Sequence, residues 1–233
     1  MSDRYDFQFN QKRASEFGVL VQKRPDMPGV KRDISFIEIP GSEYPEMEEE
    51  FQYESIEIPI SCAFKESPEN WNRKVRQIRS WLNGPGELIL SESPEAFYKV
   101  WNVTVDKFER PIKRHGIFTA NFICRPFEYM KEGIKEKTIQ EVSYNPYDIC
   151  HPIYKITGNG ICKLNVNGKI VTASVSDNIV INSELMLAYR DDGTKQNKML
   201  TGDYEDLYLQ PGVNSISMTS GFSVKVIPNW RCF

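Results

Sequence analysis

Residues 67–103 read SPENWNRKVRQIRSWLNGPGELILSESPEAFYKVWNV. This stretch decides the fold, because it holds one clearly specified helix and the two strands that follow it. Ser67 can accept a hydrogen bond from an exposed first-turn amide, Pro68 suits the first helical position, and Glu69 favours the positive end of the helix dipole. Trp71, Val75, Ile78 and Leu82 then trace one apolar stripe, with Arg73, Arg76 and Arg79 largely off it. Gly84 and Pro85 end the run, since glycine accepts the left-handed terminal conformation and proline blocks continuation. The spacing predicts a helix over 68–83. A strand over GELIL, a turn at Ser93–Pro94 and a second strand through YKVWNV come next. The reading is a helix laid across a sheet, with Trp71, Trp81 and Trp101 in the core. The stretch contains no histidine or cysteine, so it reads as scaffold.

Outward from it, strand signals dominate. Ile56, Ile58, Ile60, Cys62 and Phe64 alternate onto one face, as do Trp101, Val103 and Val105, and Phe118, Ala120, Phe122 and Cys124. FGVLVQKR and DISFIEIPG predict two more strands, with the turn between them at Pro25–Gly29. Residues 131–137, KEGIKEK, are charged and weakly periodic and suggest a domain boundary. Beyond them the texture is that of short strands. ICKLNVNGKIVTASV predicts a hairpin with a two-residue type I′ turn at Asn167–Gly168, which pairs Leu164 with Val171 and Cys162 with Ala173. Asp192–Gly193 and Pro211–Gly212 mark further turns, and Phe222, Val224 and Val226 alternate toward a core. Strands and turns at this density predict a β-sandwich.

The bulk composition is that of an ordinary folded protein: 233 residues, 40% hydrophobic, 26% charged, with a net charge of −3. Lys and Arg are dispersed among acids, so no cationic stripe invites sequence-specific nucleic acid. The one charge run, Glu46-Met47-Glu48-Glu49-Glu50, reads as a solvated loop. No apolar run approaches the roughly 20 residues that cross a bilayer. The start, MSDRYDFQFNQKR, lacks the apolar centre of a secretion signal, which predicts synthesis in the cytoplasm without membrane insertion. Five widely spaced cysteines with no C-x-x-C suit reduced, mostly buried thiols.

Catalytic signatures are sparse. The two histidines, His115 in Arg-His-Gly and His151 before a proline, lie in no nucleophile motif and read as surface or turn residues. Gly158 and Gly160 begin like a dinucleotide fingerprint but lack its third glycine and helix, so they read as a turn leading into a strand. Asp191-Asp192-Gly193 lacks the spaced acids of a calcium loop. A glycosidase needs two carboxylates about 5–9 Å apart, which 32 acids can supply by chance and the sequence cannot nominate. No catalytic, cofactor-binding or metal-binding residue is assigned, and no enzymatic activity is expected.

With these elements in order, VRQIRSWLNGPGELILSESPEAFYKVWNV resembles the signature region of the distal tail proteins of long-tailed (siphovirus-type) bacteriophages. There a helix ending in Trp-Leu (here Trp81-Leu82) precedes a glycine-bearing turn (Gly84, Gly86), a short strand (Leu88–Leu90), a Pro-containing turn (Ser91–Pro94) and a Tyr-led strand (Tyr98 onward). FGVLVQ and IPGSEYPE upstream, and HPIYKITGNGICKLNVNG, INSE and DLYLQPGVNSISMTSG downstream, are similar to family habits over nearly the whole chain. In one place the sequence departs: the family's Pro-Gly-x-Asp-Gly loop is here Pro40-Gly41-Ser42-Glu43-Tyr44, with no second glycine.

The resemblance implies a mainly β protein of two domains. Residues 1–132 would be a ring-forming β-sandwich carrying the helix, and residues 133–233 a galectin-like β-sandwich. It implies a homo-hexameric structural hub of the tail tip or baseplate, joining the tail tube protein to the tail-associated adhesin or lysin protein. A receptor-binding protein is a further implied partner, and the location would be the virion tail tip. Tyr44, Met47 and Phe51 flank the acidic run without core alternation and are the candidate subunit-interface residues. The alternative is a carbohydrate-binding module that recognises the host cell wall through the C-terminal sandwich. HPIYK at 151–155, however, does not supply a galectin-type His-x-Asn-x-Arg site.

Overall fold

The computed structural model describes residues 4–44 and 46–233, with the side chains of 33–36 and 46–52 outside that description. The chain divides into two compact units, Met1–Glu128 together with Phe233, and Tyr129–Cys232. Both are mainly β.

The first unit contains β1 (Phe7–Phe9), β2 (Lys12–Arg13), β3 (Val19–Val21), β4 (Arg32–Ile37), β5 (Glu46–Tyr53), β6 (Ile56–Lys65), helix α1 (Trp71–Trp81), β7 (Gly86–Leu90), β8 (Ala96–Val105) and β9 (Glu109–Ile112). It also holds most of β10 (His115–Met130). One antiparallel sheet runs β2-β1-β7-β8-β10-β6-β3, with β9 also against β10. Period-two patterning sets its inner face. Ile56, Ile58, Ile60, Cys62 and Phe64 of β6 are all buried, and the register places Ile60 opposite Ala120 and Ile58 opposite Phe122. The sheet curls on itself. Phe122 of β10 meets Phe7 and Phe9 of β1 edge-on at 5.6 and 5.5 Å, although β7 and β8 lie between them in the sheet. Helix α1 closes the core. The Trp81 ring stacks on Phe17 at 4.4 Å and on Phe7 at 5.5 Å, and its indole N–H donates to the Phe9 carbonyl at 3.1 Å.

Three local expectations change. The helix predicted over 68–83 is regular only over Trp71–Trp81, and residues 68–70 form a turn in which the Asn70 N–H donates to the Ser67 carbonyl at 3.2 Å. Hydrogen bonds from its own backbone and from Ser67 hold the Glu69 carboxyl below the ordinary carboxylate range, so these groups organise the turn ahead of the helix. Trp101 is not core. It is 54% exposed: on the face carrying Ala96, Tyr98 and Val100 the next buried residue of β8 is Val103, a one-residue slip of the kind a β-bulge produces, while Phe97 is buried on the other face. The Arg125 guanidinium lies over its ring at 4.6 Å. Finally, the acidic run 46–50 is not a loop. It forms β5, paired antiparallel with β4 in a separate two-stranded sheet, while β3 pairs with β6, so Pro25–Gly29 joins different sheets.

The second unit contains β11 (Tyr144–Asn145), β12 (Ile153–Val166), β13 (Lys169–Asn182), β14 (Leu187–Tyr189), β15 (Leu200–Thr201), β16 (Gly212–Val213), β17 (Ile216–Met218), β18 (Ser223–Ile227) and β19 (Arg231–Cys232). The sheet order is β14-β13-β12-β17, with β15 on β13 and β18 on β12, beside a small β11-β16 ribbon. The β12–β13 hairpin turns at Asn167 and Gly168, whose φ values of 52° and 86° are those a type I′ turn requires, and Leu164 pairs with Val171 and Cys162 with Ala173 as predicted. Gly158 and Gly160 do not lead into a strand. They sit within β12 at φ 149° and 115°, opposite Val175–Asp177. A Cβ on Gly158 would lie 2.5 Å from the Phe222 ring. There the inward alternation of Tyr154 and Ile156 breaks before Cys162, Leu164 and Val166 resume it. Below the break β12 pairs with β18 and above it with β17, so one ribbon serves both ends of the curled sheet. The charged segment 131–137 is sewn into this unit: Lys137 exchanges both backbone hydrogen bonds with Val226, at 2.8 and 2.9 Å.

Candidate functional site

Groups capable of chemistry are few and occupied structurally. His115 opens β10 beside the Lys113–Arg114 turn and is exposed. His151 is half-buried. Its ring stacks on Tyr208 at 3.9 Å, and Nε2 lies 3.1 Å from the Arg231 guanidinium, which can only donate, so Nε2 is the acceptor. Cys62, Cys124, Cys150 and Cys162 are buried free thiols and Cys232 is half-buried. Burial pushes the Cys62 and Cys124 thiols up to about 12 and Cys150 to about 11, against 9.0 for an ordinary thiol, a direction opposite to that of a nucleophile. Among the described residues no group of three or more His, Cys, Asp or Glu is placed to hold a metal ion. Among them, too, no helix is long and apolar enough to cross a membrane.

What the first unit offers instead is surface. Strands β4 and β5 form a two-stranded arm separate from the main sheet, and at its end Tyr53 packs against Phe127 at 5.3 Å and Phe233 at 5.2 Å. The loop at its tip is held with Gly41 as its one glycine. Gly41 takes φ 88°, the Ser42 N–H donates to the Ile39 carbonyl, and the Ser42 hydroxyl donates to the Tyr44 carbonyl at 2.6 Å while accepting the Tyr44 N–H at 3.3 Å. Of the three residues the sequence nominated, Tyr44 lies beside this turn and is 74% exposed, near exposed Ile37 and Ile39. Met47 and Phe51 are placed by backbone on β5, but their side chains lie outside the described residues. From Asp33 to Glu54 the chain carries eight acids and no Lys or Arg.

A second surface was not foreseen. Beside α1 lies a cleft of about 590 Å³ whose rim carries Lys12, Arg73, Lys74 and Arg76 against the single acid Glu16, with Phe17 and Trp81 in its lining. None of the four cations forms an ion pair with an acid among the described residues. The Arg spacing was visible in the sequence as the face opposite the apolar stripe. Lys12 joins it only because β2 folds back beside the helix.

In the second unit a cleft of about 230 Å³ is lined by polar groups including Lys155, Thr157, Asn178, Asp191 and Ser223. Glu136 bridges Lys155 and Lys225 across its rim, and no aromatic ring among its described lining residues offers a sugar-stacking face. Across the β11–β16 ribbon, exposed Tyr144 and Val213 are directly paired.

No protein-family model matches the sequence, and no curated protein resembles it. Among solved structures, the chain superposes on the crystal structure of the Dit protein (gp 19.1) of SPP1, described as a paradigm of the hub adsorption apparatus in phages that infect Gram-positive bacteria. The TM-score is 0.68 at 11% identity, over 95% of this chain and 97% of that one. The likeness is one of fold across both units.

Proposed function

We propose that this chain is a structural subunit of a phage or prophage tail tip, a distal tail protein that assembles as a hexameric hub. One observation carries the reading: the likeness to the SPP1 hub protein spans both units at nearly full length in both chains, so it is the whole two-unit architecture that is shared. The buried, unactivated thiols and the structurally committed His151 agree with a part that assembles rather than reacts. In this role the first unit forms the ring, with Tyr44, Met47 and Phe51 of the arm at the subunit contact. The hub joins the tail tube protein on one side to the tail-associated adhesin or lysin protein on the other, and receptor-binding proteins attach at its outside.

The test is the mass of the purified chain by light scattering, alone and mixed with the tail tube protein, with negative-stain imaging of any large species. Open rings of six copies are expected in at least the mixed sample. A chain that remains monomeric in both overturns the ring.

A further inference from the structure

We propose that the cleft beside α1 binds a nucleoside phosphate, its base on the Phe17 ring and its phosphates among Lys12, Arg73, Lys74 and Arg76. Trp81 stacks on both Phe7 and Phe17. Phe7 is 1% exposed and Trp81 6%, whereas Phe17 is half-buried and lines the cleft, so it is the ring of the three with surface to offer. The four cations have no acid partner among the described residues, and the one acid of the lining, Glu16, already accepts the Arg13 N–H at 3.2 Å. Arg73 and Lys74 stand in the first turn of α1, which carries no acid, so their charges add to the positive end of the helix dipole. Like charges crowded there weaken the fold on their own, and a bound anion relieves them.

The site is preorganised. Lys12 reaches the rim on β2, and the turn before β2 is pinned to the segment that leaves the helix. The Asn10 side-chain amide donates to the Pro85 carbonyl at 3.2 Å, and its oxygen accepts the Glu87 N–H at 3.1 Å. Gly86 makes room for this contact, since a Cβ there would overlap the Asn10 side chain. A Cβ on Gly18 would lie 3.5 Å from the Lys74 ammonium, which sets that cation next to the chain at Phe17. A volume of about 590 Å³ suits a ligand of nucleotide size. An aromatic ring among clustered cations is the pairing that takes a base by stacking and its phosphates by charge-assisted hydrogen bonds, without reading sequence. A free nucleotide and a single-stranded nucleic acid share that chemistry.

The test is calorimetric titration of the full-length chain, at low salt and without divalent cations, with ATP, tripolyphosphate and a short oligothymidylate. ATP should bind once per chain and at least about fivefold more tightly than tripolyphosphate, the contribution of one stacked base. Phe17→Leu should erase that advantage while leaving tripolyphosphate binding unchanged, a difference that loss of folding cannot produce. Lys12→Gln, Arg73→Gln and Arg76→Gln, all exposed positions, should together weaken every ligand by about tenfold or more. Lys23→Gln with Lys107→Gln, exposed and outside the cleft, should leave binding unchanged. Thermal unfolding midpoints close to the parent's confirm that the charge variants fold.

Oligothymidylate bound at least as tightly as ATP identifies a nucleic-acid strand as the source of the ligand, and ATP bound more tightly identifies a free nucleotide; both uphold the site. No saturable binding of either by millimolar ligand overturns it, as does binding that the triple variant retains, or tripolyphosphate bound no more weakly than ATP. An oligoglutamate peptide that binds more tightly than both assigns the cleft to an acidic protein segment and also overturns it. The ring reading is untouched by any of these results, because binding here does not depend on ring formation.

Discussion

Trp81 and Trp101 are chemically identical and stand twenty positions apart, yet they should behave as different kinds of residue. Trp81 is buried, stacked on two rings and hydrogen-bonded to a backbone carbonyl. Trp81→Ala should lower the unfolding free energy by about 3–5 kcal/mol in urea titration. Trp101→Ala should cost under about 1 kcal/mol, the scale of an exposed cation–π contact with Arg125. The sequence reading put both in the core because it assumed unbroken alternation through β8; a one-residue slip is a tertiary choice that no local pattern announces. The buried thiols make a separate prediction. Their folded pKa values are raised, to about 12 for Cys62 and Cys124, above the ordinary 9.0 they regain on unfolding. Between about pH 9 and 12 the unfolded chain therefore binds fewer protons than the folded one, so stability is full below pH 9 and is lost as pH rises through this window. The urea midpoint should fall from pH 8 to pH 11, and Cys124→Ala should flatten that slope. A midpoint that rises would contradict the burial.

At the scale of elements, the long strands and the hairpin register were legible because burial enforces period two and Asn-Gly enforces its turn. Two things were not. The interior of β12 carries Gly158 and Gly160, which read like loop residues because nothing local says that the ribbon continues past them. Gly158→Ala must force a Cβ toward Phe222 at a backbone conformation L-residues rarely adopt, so it should destabilise by more than about 1 kcal/mol, the usual scale of a glycine replaced at a positive φ. A midpoint unchanged in thermal unfolding would show that the bend tolerates a side chain. The acidic run, too, read as a loop, since strand propensity in Glu-rich segments is low and its partner β4 is fixed only by the fold. Because the β4–β5 arm pairs only with itself, replacing residues 34–51 by a short Gly-Ser linker should leave the unfolding midpoint within a few degrees while abolishing ring formation. Phe51→Ala should weaken the ring in the same direction without unfolding the monomer, as read by light scattering.

For the whole molecule, the two-unit, mainly β architecture follows from patterning that the sequence carries openly, whereas the cationic cleft is formed by residues far apart in sequence. Lys12 and Arg76 share a rim because β2 returns beside α1, and no spacing rule connects them. The proposed hub role asks for rigid faces, and the buried, raised-pKa thiols fit that reading. The most direct test is to locate the chain on intact particles, by immunogold labelling of purified virions followed by electron microscopy of the tails. Label confined to the distal end of the tail is the predicted result. Particles that lack the protein, or label on the capsid or along the tube, would contradict the assignment.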